Sequence, residues 1–262
     1  MPPRKTALVT AGSAGLGAAI ARLLARDLHY SVIINYSQNA ARAEQLILEL
    51  LDAAQPRDGL DLPIFRAIKA DLHIKEEVAR LVDEATAATG GRLDVVVSNF
   101  GWTRMTDFAN LDEGLVEEDW DRCYNANVKS HLWLFSAARK YLEEANAREE
   151  GSAVFVSTAS TAGVKPSGSS LPYAASKAAQ IHLVKCLASI CGPSIRVNCV
   201  SPALLLTDWG LSFPEEKIEA AKENSKLKRL ATVEDTAEQV RAFIVSKGIT
   251  AQNAIVDAGF CL

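Results

Sequence analysis

Short apolar runs alternate with longer segments of helical periodicity along this chain. Seven runs, mostly β-branched, predict strands at residues 6–10, 31–36, 64–69, 93–98, 152–157, 195–200 and 254–257. Because they are almost continuously apolar, we expect helices to cover them on both faces. The intervening periodicity predicts helices near residues 15–28, 39–54, 75–89, 115–145, 173–191 and 233–246. This alternation is typical of right-handed βαβ units, and it predicts an α/β fold with a doubly wound, seven-stranded parallel sheet.

Two segments interrupt the alternation. Residues 55–63 are rich in Pro, Gly and Asp, and they predict a surface loop before the third strand. Residues 202–230 follow the sixth strand and contain a helical pattern from Pro214 to Asn224. Ligands of α/β sheets bind beyond the carboxyl ends of strands, so we expect this segment to cover a substrate as a lid. A plain surface insertion is the alternative. No linker divides the chain, and residues 1–262 are predicted to form a single domain.

The composition excludes several classes of protein. Of the 262 residues, 48% are hydrophobic and 23% are charged, and 28 basic against 32 acidic residues give a net charge of −4. This balance is typical of a globular protein and offers no basic surface for nucleic acid or a membrane. We find neither an apolar run of about 20 residues nor a secretory hydrophobic region. The five cysteines form no CxxC pair, so we expect reduced, mostly buried thiols and a cytoplasmic location.

The junction between the first predicted strand and the first predicted helix is rich in small residues. Small side chains there let backbone N–H groups and the helix N-terminus face a pyrophosphate. The spacing differs from the GxGxxG dinucleotide fingerprint, and a tight turn without a ligand is the alternative. In an α/β chain this position favours phosphate binding. The candidate residues are Thr10, Gly12, Ser13, Gly15, Leu16 and Gly17.

A second constellation follows the fifth predicted strand. Ser160 lies just beyond the strand end, and Tyr173 and Lys177 share one face of the next predicted helix, at i and i+4. An ammonium near a phenol favours the phenolate, so we expect Lys177 to lower the pKa of Tyr173 from about 10. The phenol then exchanges a proton with a carbonyl or alcohol oxygen that the serine hydroxyl holds. Taken singly, the three residues are also compatible with packing, a solvated charge and a loop hydroxyl.

With these motifs the chain resembles the short-chain dehydrogenase/reductase family, whose compact members have a single Rossmann-fold domain, and the resemblance covers essentially the whole chain. Residues 10–17 resemble TGxxxGxG, and residues 173–177 match the catalytic YxxxK. Residues 98–101 resemble NNAG, residues 202–207 resemble PGxxxT, and residues 256–259 resemble VDGG. The resemblance implies a general acid at Tyr173, helped by Lys177 and Ser160.

Further roles follow from the same resemblance. Asn127 matches the asparagine that holds a water of the proton relay, and Asp71-Leu72 match the adenine-contacting position. The remaining cofactor-binding positions that it implies are Asn99, Phe100, Gly101, Tyr173, Lys177, Pro202, Ala203, Leu205 and Thr207. The chain departs from the family at four positions that add volume beside the expected cofactor groove, namely Ala11, Phe100, Ala203 and Ala258.

The second predicted strand bears on the choice of cofactor. It ends with Asn35, Tyr36 and Ser37, without the carboxylate by which NAD sites bind the ribose hydroxyls. With donors present and no acid to repel a 2′-phosphate, NADP(H) is favoured over NAD(H). Similar NYS sequences occur in NADPH-dependent ketoreductases of the family. No basic residue precedes Gly15, however, and Ala18 follows Gly17 where an arginine often helps. NAD(H) therefore stays open.

The expected substrate pocket has aromatic and aliphatic walls. Its candidate residues are Trp102, Arg104, Ser160, Val164, Tyr173, Leu204, Trp209 and Phe213. Such walls favour a bulky, mostly apolar small-molecule ketone or alcohol as the substrate. Alternatively, Trp209 and Phe213 form the hydrophobic core of the lid and do not contact a substrate. Arg104 is suited to an anionic group, although a single arginine on a loop is more often a solvated charge.

The sequence therefore predicts an NADPH-dependent carbonyl reductase or alcohol dehydrogenase. The helix that starts at Tyr173 is more apolar than one sheet face requires, and in the family the equivalent helix packs in a homodimer or homotetramer. No metal is expected. Three alternatives stay open: an NAD-dependent alcohol dehydrogenase, a non-redox enzyme of the same fold, and a sensor that binds NADP(H) without catalysis.

Overall fold

The computed structural model describes residues 4–54 and 61–262, and in them seven parallel strands form one sheet. The strand order is β3-β2-β1-β4-β5-β6-β7, so the order reverses between β1 and β4. This is the doubly wound Rossmann-type α/β fold that the sequence predicts. The strands are β1 Thr6–Val9, β2 Ser31–Tyr36, β3 Phe65–Lys69, β4 Val95–Ser98, β5 Val154–Thr158, β6 Arg196–Pro202 and β7 Asn253–Val256.

The helices agree with the predicted periodicity, with one difference. They are α1 Gly15–Arg26, α2 Ala40–Ala53, α3 Lys75–Ala88, α4 Glu117–Tyr124, α5 Ser130–Arg148, α6 Leu171–Cys191, α7 Glu215–Asn224 and α8 Val233–Val245. The single helix predicted over 115–145 is divided by a π-helical turn, Asn125–Lys129, between α4 and α5. Such turns are rare in helices and frequent at functional sites.

Two hydrophobic layers cover the sheet. Leu8 and Phe155 face a layer that contains α3, α5 and α6, whereas Ala7 and Val9 face a layer that contains α1, α2 and α8. Both faces of each central strand are therefore buried, which explains why the strands are almost continuously apolar. The Phe135 and Phe155 rings meet edge to face at 5.3 Å in the first layer.

In the residues that the structure describes, the two segments that interrupt the alternation agree with the predicted loop and the predicted helical pattern. Residues 55–60 of the predicted loop lie outside the described residues, and 61–64 have no regular secondary structure. After β6 the chain runs without regular structure to a 3₁₀ turn, Gly210–Ser212, and then forms α7 at the predicted place. None of the helices described here has the length and apolar character to cross a bilayer.

Candidate active site

A cleft of about 350 Å³ opens at the carboxyl ends of β1, β4, β5 and β6. It lies beside the point where the strand order reverses, which is where open α/β sheets bind ligands. Most of the residues predicted to contact cofactor or substrate meet there. The predicted residues that line it are Gly15, Leu16, Asn99, Phe100, Gly101, Trp102, Ser160, Tyr173, Lys177, Pro202, Ala203, Leu205, Thr207 and Trp209.

The glycines of the turn between β1 and α1 have two different roles. A Cβ on Gly17 would collide with the Ala11 carbonyl oxygen, and one on Gly12 would lie 2.8 Å from the Val9 carbonyl oxygen. These two glycines are therefore required by packing. Gly15 and Leu16, by contrast, line the cleft at the N-terminus of α1, where the helix dipole favours an anion.

Two other residues of this turn have different surroundings. The Thr10 hydroxyl is fully buried and accepts a hydrogen bond from the Asn99 backbone N–H at 2.8 Å. Ser13 lines an adjoining hollow that it shares with Arg42. Thr10 therefore ties the ends of β1 and β4 together instead of lining the cleft.

The Asn35 side chain has a structural role in this molecule. Its side chain is 2% exposed, and its Oδ1 accepts a hydrogen bond from the Ala11 backbone N–H at 3.1 Å. Its Nδ2 donates to the Ile68 and Ala70 carbonyl oxygens at 3.4 and 3.1 Å. The expectation that its amide offers a donor to a 2′-phosphate is wrong for this structure, because every polar atom of that amide is engaged internally. Asn35 instead braces the turn that holds Gly12.

A basic residue of α2 reaches the cleft near the end of β2. Ser37 is exposed and Tyr36 is half-buried at the end of β2. Arg42, in the first turn of α2, lines the cleft, and its Nη1 lies 2.7 Å from Asp208 Oδ2. Asp208 comes from the segment after β6, so an ion pair joins that segment to α2. Nothing in the local sequence pairs two residues that lie 166 positions apart.

The predicted adenine contacts lie away from the cleft lining. Asp71 is exposed, and its Oδ1 accepts a hydrogen bond from the His73 backbone N–H at 2.9 Å. The Leu72 side chain is 4% exposed and belongs to the core. The Phe100 ring, although it reaches the cleft, packs against that core and meets His73 edge to face at 5.1 Å.

Ser160, Tyr173 and Lys177 meet where the loop after β5 packs against the start of α6. Ser170 caps α6 through its Oγ, which accepts from the Tyr173 backbone N–H at 3.3 Å. The Ser160 hydroxyl lies close enough to the Tyr173 phenol to lower the pKa of that phenol, and both side chains line the cleft. Lys177 Nζ donates to the Thr158 carbonyl oxygen at 2.9 Å and lies 5.6 Å from the centroid of the Tyr173 ring. The predicted trio is thus assembled in one place.

The ionisation of this trio corrects one expectation. Burial raises the pKa of Tyr173 to about 12, although the neighbouring Ser160 hydroxyl opposes that shift. Burial also lowers the pKa of Lys177 to about 7. The expected lowering of the Tyr173 pKa is wrong for this structure, because desolvation of the phenol is the largest effect and outweighs the opposing effect of Ser160. Tyr173 is therefore a protonated phenol near pH 7.

Asn127 lies in the π-helical turn and is fully buried. Its Oδ1 accepts from the Trp102 backbone N–H, and its Nδ2 donates to the Trp102 carbonyl oxygen, both at 2.9 Å. A second donation reaches Ser176 Oγ at 3.0 Å. The side chain therefore clamps the Trp102 loop against α6, and its predicted part in a water relay stays a prediction.

A second cavity, of about 170 Å³, adjoins the cleft at Ser160, Tyr173, Ala203 and Trp209. The Trp209 and Phe213 rings meet edge to face at 5.2 Å in its wall, and Leu204 lines it as predicted. Sequence reasoning did not name several other residues of its wall. The residues it missed include Thr161, Ala162, Gly168, Ser169, Lys217, Ala221, Ser225, Leu230 and Phe260.

Two predicted pocket residues lie elsewhere. Arg104 Nε pairs with Asp119 Oδ2 at 2.5 Å, and its Nη2 donates to the Glu113 carbonyl oxygen. Val164 is 44% exposed, and neither Arg104 nor Val164 lines either cavity. Both assignments are therefore corrected: Arg104 is taken up by a partner 15 residues along the chain, and Val164 points its side chain outside the site.

Comparison with known proteins defines the class. The family model for short chain dehydrogenases matches residues 5–217. A ketoacyl reductase of the granaticin polyketide synthase from Streptomyces violaceoruber is 32% identical over 260 residues, which cover 98% of this chain and 96% of that protein. A Burkholderia cenocepacia short chain dehydrogenase in complex with NADP superposes with a TM-score of 0.85, at 31% identity, over 98% of each chain.

Another solved structure carries the other cofactor. The 3-ketoacyl-(acyl-carrier-protein) reductase of Brucella melitensis, complexed with NADH, superposes with a TM-score of 0.84, at 25% identity, over 98% of each chain. Fold, cleft and trio thus define an oxidoreductase that acts on CH–OH or C=O groups with an NAD(P) cofactor. The chain belongs to the short-chain dehydrogenase/reductase family.

Proposed function

We propose that this protein is an NADPH-dependent carbonyl reductase that transfers hydride to a bulky, mostly apolar ketone, and that also oxidises the corresponding alcohol. The observation that carries the proposal is the position of Tyr173 and Ser160. Both residues line the cleft and the adjoining cavity. A carbonyl group held between the two cavities lies beside a proton donor and a hydroxyl that binds the same oxygen.

The cleft fits a dinucleotide. A helix N-terminus and an arginine, Arg42, lie at one part of its wall, and Tyr173 and Lys177 lie at another. Gly15 has a left-handed backbone with φ +50°, and a Cβ there would lie 2.9 Å from the Thr207 methyl group. A side chain at Gly15 would thus narrow the cleft against Thr207. When bound, NADPH supplies the hydride.

Tyr173 acts as the general acid in the proposed reaction. Its pKa of about 12 keeps the phenol protonated at neutral pH, so a proton is available for the carbonyl oxygen as negative charge develops there. Ser160 orients the same oxygen through its hydroxyl. These preorganised donors stabilise the oxyanion.

Lys177 supports this chemistry by its charge. Its ammonium, when protonated, lowers the energy of the phenolate that Tyr173 becomes after proton transfer. We also assign to it the nicotinamide ribose, and to Asn127 the water that returns a proton to Tyr173. Residues 202–230 would cover the substrate as a lid, since Trp209, Phe213 and Lys217 of this segment line the second cavity.

The preference for NADPH rests on Arg42. Its guanidinium lines the cleft, and the carboxylate beside it, Asp208, is 76% exposed. An exposed ion pair of this kind contributes little, about 0–1 kcal/mol. A doubly charged 2′-phosphate therefore competes with Asp208 for Arg42, whereas the ribose hydroxyl of NADH does not.

The substrate class follows from the walls of the two cavities. Leu204, Trp209 and Phe213 present apolar and aromatic surface next to Tyr173 and Ser160. This lining favours an aromatic or polyketide-like ketone, in keeping with the polyketide-synthase reductase among its relatives. We further propose a single domain, a cytoplasmic location and a homodimer or homotetramer.

The test is a titration with NADPH and NADH, followed by nicotinamide fluorescence and thermal shift, and then a screen of bulky aromatic ketones for NADPH oxidation. Selective NADPH binding and turnover of an aromatic ketone are expected. Preferential NADH binding with alcohol oxidation would favour an NAD-dependent alcohol dehydrogenase instead. Selective NADPH binding without turnover of any ketone or alcohol would favour a sensor.

A further inference from the structure

A network of uncharged polar side chains lies in the interior beside Lys177. Ser98 comes from β4, His131 from α5, Ser157 from β5 and Gln180 from α6, and each is at most 2% exposed. The elements that carry them also supply the apolar core on this side of the sheet. Buried polar groups are destabilising unless they are hydrogen-bonded, so a connected set of them next to a catalytic lysine requires a physical reason.

Gln180 connects this network to the lysine. Its Oε1 accepts a hydrogen bond from Lys177 Nζ at 2.9 Å. Its Nε2 donates to Ser157 Oγ at 2.7 Å and to the Thr158 carbonyl oxygen at 3.0 Å. Because an ammonium has only donors, the atom of Gln180 that faces Lys177 must be the carbonyl oxygen. The two acceptors behind Nε2 fix the amide in that orientation.

His131 holds the far side of the network. Its Nδ1 lies 2.6 Å from Ser98 Oγ and 3.1 Å from Ser157 Oγ. Burial, together with the neighbouring charge of Lys177, lowers the pKa of His131 to about 3. The imidazole is therefore neutral at physiological pH and adds no second cation beside Lys177.

The geometry points to Gln180 as a positioning residue for Lys177. Its carbonyl oxygen and that of Thr158 bind two of the three ammonium hydrogens, which leaves the third for the cleft. His131, whose Nε2 lies 3.1 Å from Gln180 Nε2, and Ser157 act one step further back, because they contact the amide that binds the lysine. Only the effect on turnover rests on the proposed function; the effect on the titration of Lys177 does not.

Removal of the Gln180 carbonyl has a definite consequence. The ammonium would lose one of its two acceptors while it stays buried, and the charged form of Lys177 would be disfavoured. The titratable groups that face Lys177 from the elements around it are Tyr173 on α6, His131 on α5, Cys123 on α4 and Cys199 on β6. None of them is anionic at neutral pH, since burial raises the pKa of Tyr173 and of both thiols. None of these groups therefore supplies a negative charge that would compensate for the loss of the Gln180 carbonyl oxygen.

The first readout is the titration of Lys177 itself in the free protein. With ¹³C-labelled lysine, the Cε resonance of Lys177 is assigned by its loss in Lys177→Arg and followed with pH. We expect Gln180→Met, which keeps the volume and removes the polar atoms, to lower the midpoint by about one to two pH units. Gln180→Glu, which offers a charged acceptor, should raise it. An unchanged midpoint in both variants would overturn the inference.

The second readout is turnover. In Gln180→Met the rate of ketone reduction at pH 7 should fall about 5- to 50-fold, with partial recovery at lower pH and little change in KM. Ile181→Met, at the next buried position of α6, is the matched control and should leave the midpoint and the pH profile unchanged. An equal effect of Ile181→Met would assign the loss to packing and would also overturn the inference.

Two further outcomes keep the inference separate from the proposed function. If the midpoint shifts as expected but the wild-type protein reduces no ketone, the positioning role stands and the proposed function fails. If Gln180→Met does not fold, Ser157→Ala removes the acceptor that orients the amide, and it should move the Lys177 midpoint in the same direction by a smaller amount. A wild-type midpoint in Ser157→Ala would then refute the role assigned to Gln180.

Discussion

Ala11 stands where the family motif has a glycine, and the backbone there has kept the conformation that glycine favours. Its φ is +46°, in the left-handed region that L-residues with a Cβ rarely adopt. The conformation is held from both sides, because the Ala11 N–H donates to Asn35 Oδ1 at 3.1 Å and the Gly12 N–H donates to the Asn35 carbonyl oxygen at 2.8 Å. We therefore expect Ala11→Gly to stabilise the protein.

The magnitude follows from two opposing effects. An alanine in the left-handed region is less stable than glycine by about 1–2 kcal/mol. Glycine loses more chain entropy on folding, which offsets about 0.5–1 kcal/mol of that gain. The side chain of Ala11 is only half-buried, so its removal leaves no enclosed cavity. The net expectation is a stabilisation of about 0.5–1 kcal/mol, or a rise in Tm of about 1–4 °C for a chain of this size.

Urea unfolding and thermal shift, at one fixed protein concentration, measure this difference. Ala79→Gly is the matched control, since Ala79 is exposed inside α3 and glycine there should destabilise by about 1 kcal/mol. Ala258→Gly, at φ +54°, should behave like Ala11→Gly. If Ala11→Gly lowers stability as Ala79→Gly does, the strain assigned to Ala11 is refuted.

Three other predictions concern the reaction. Tyr173→Phe should lower turnover about 10²- to 10⁴-fold, as expected for loss of a general acid, while NADPH fluorescence still reports binding; unchanged turnover would exclude Tyr173 as the acid. The pKa of Lys177 is about 7 and that of Tyr173 is about 12. The rate of ketone reduction should therefore be highest below pH 7 and decline above it as the ammonium is lost, whereas the rate of alcohol oxidation should rise toward high pH. Parallel pH profiles in the two directions would contradict this. Arg42→Ala should weaken NADPH binding at least about tenfold with little effect on NADH, and Asp208→Asn should strengthen NADPH binding. Fluorescence titrations measure both, and equal effects on the two cofactors would remove Arg42 from the 2′-phosphate site.

Hydrophobic periodicity was sufficient for the architecture because both faces of the sheet are buried. It was insufficient for the direction of single polar side chains. Asn35 is the last but one residue of β2, whose preceding residues are all buried, so no alternation indicated that its amide turns inward to the Ala11 N–H. The π-helical turn at Asn127 was also missed, since a change of hydrogen-bond register within one amphipathic helix leaves the composition unchanged.

Pairings across long sequence separations account for most of the remaining differences. Arg42 and Asp208 lie 166 residues apart, and Gln180 and His131 lie 49 apart. Each residue alone is an ordinary surface or helix residue, and only the folded chain brings its partner within hydrogen-bond distance. The pKa of Tyr173 could not be predicted from the sequence either. The spacing from Lys177 indicates the sign of the charge effect, but it does not indicate how strongly the folded chain desolvates the phenol.

The four departures from the family motifs were expected to crowd the cofactor groove, and the structure locates their effects more closely. Ala11 and Ala258 keep left-handed backbones, so the turns they belong to persist at the expense of local strain. Phe100 directs much of its ring into the core and against His73. Ala203 has no such strain, and its N–H donates to the Val256 carbonyl oxygen at 3.2 Å. Because three of the four act on backbone conformation or core packing, we expect reversion to glycine at Ala11 and Ala258 to change stability more than cofactor affinity.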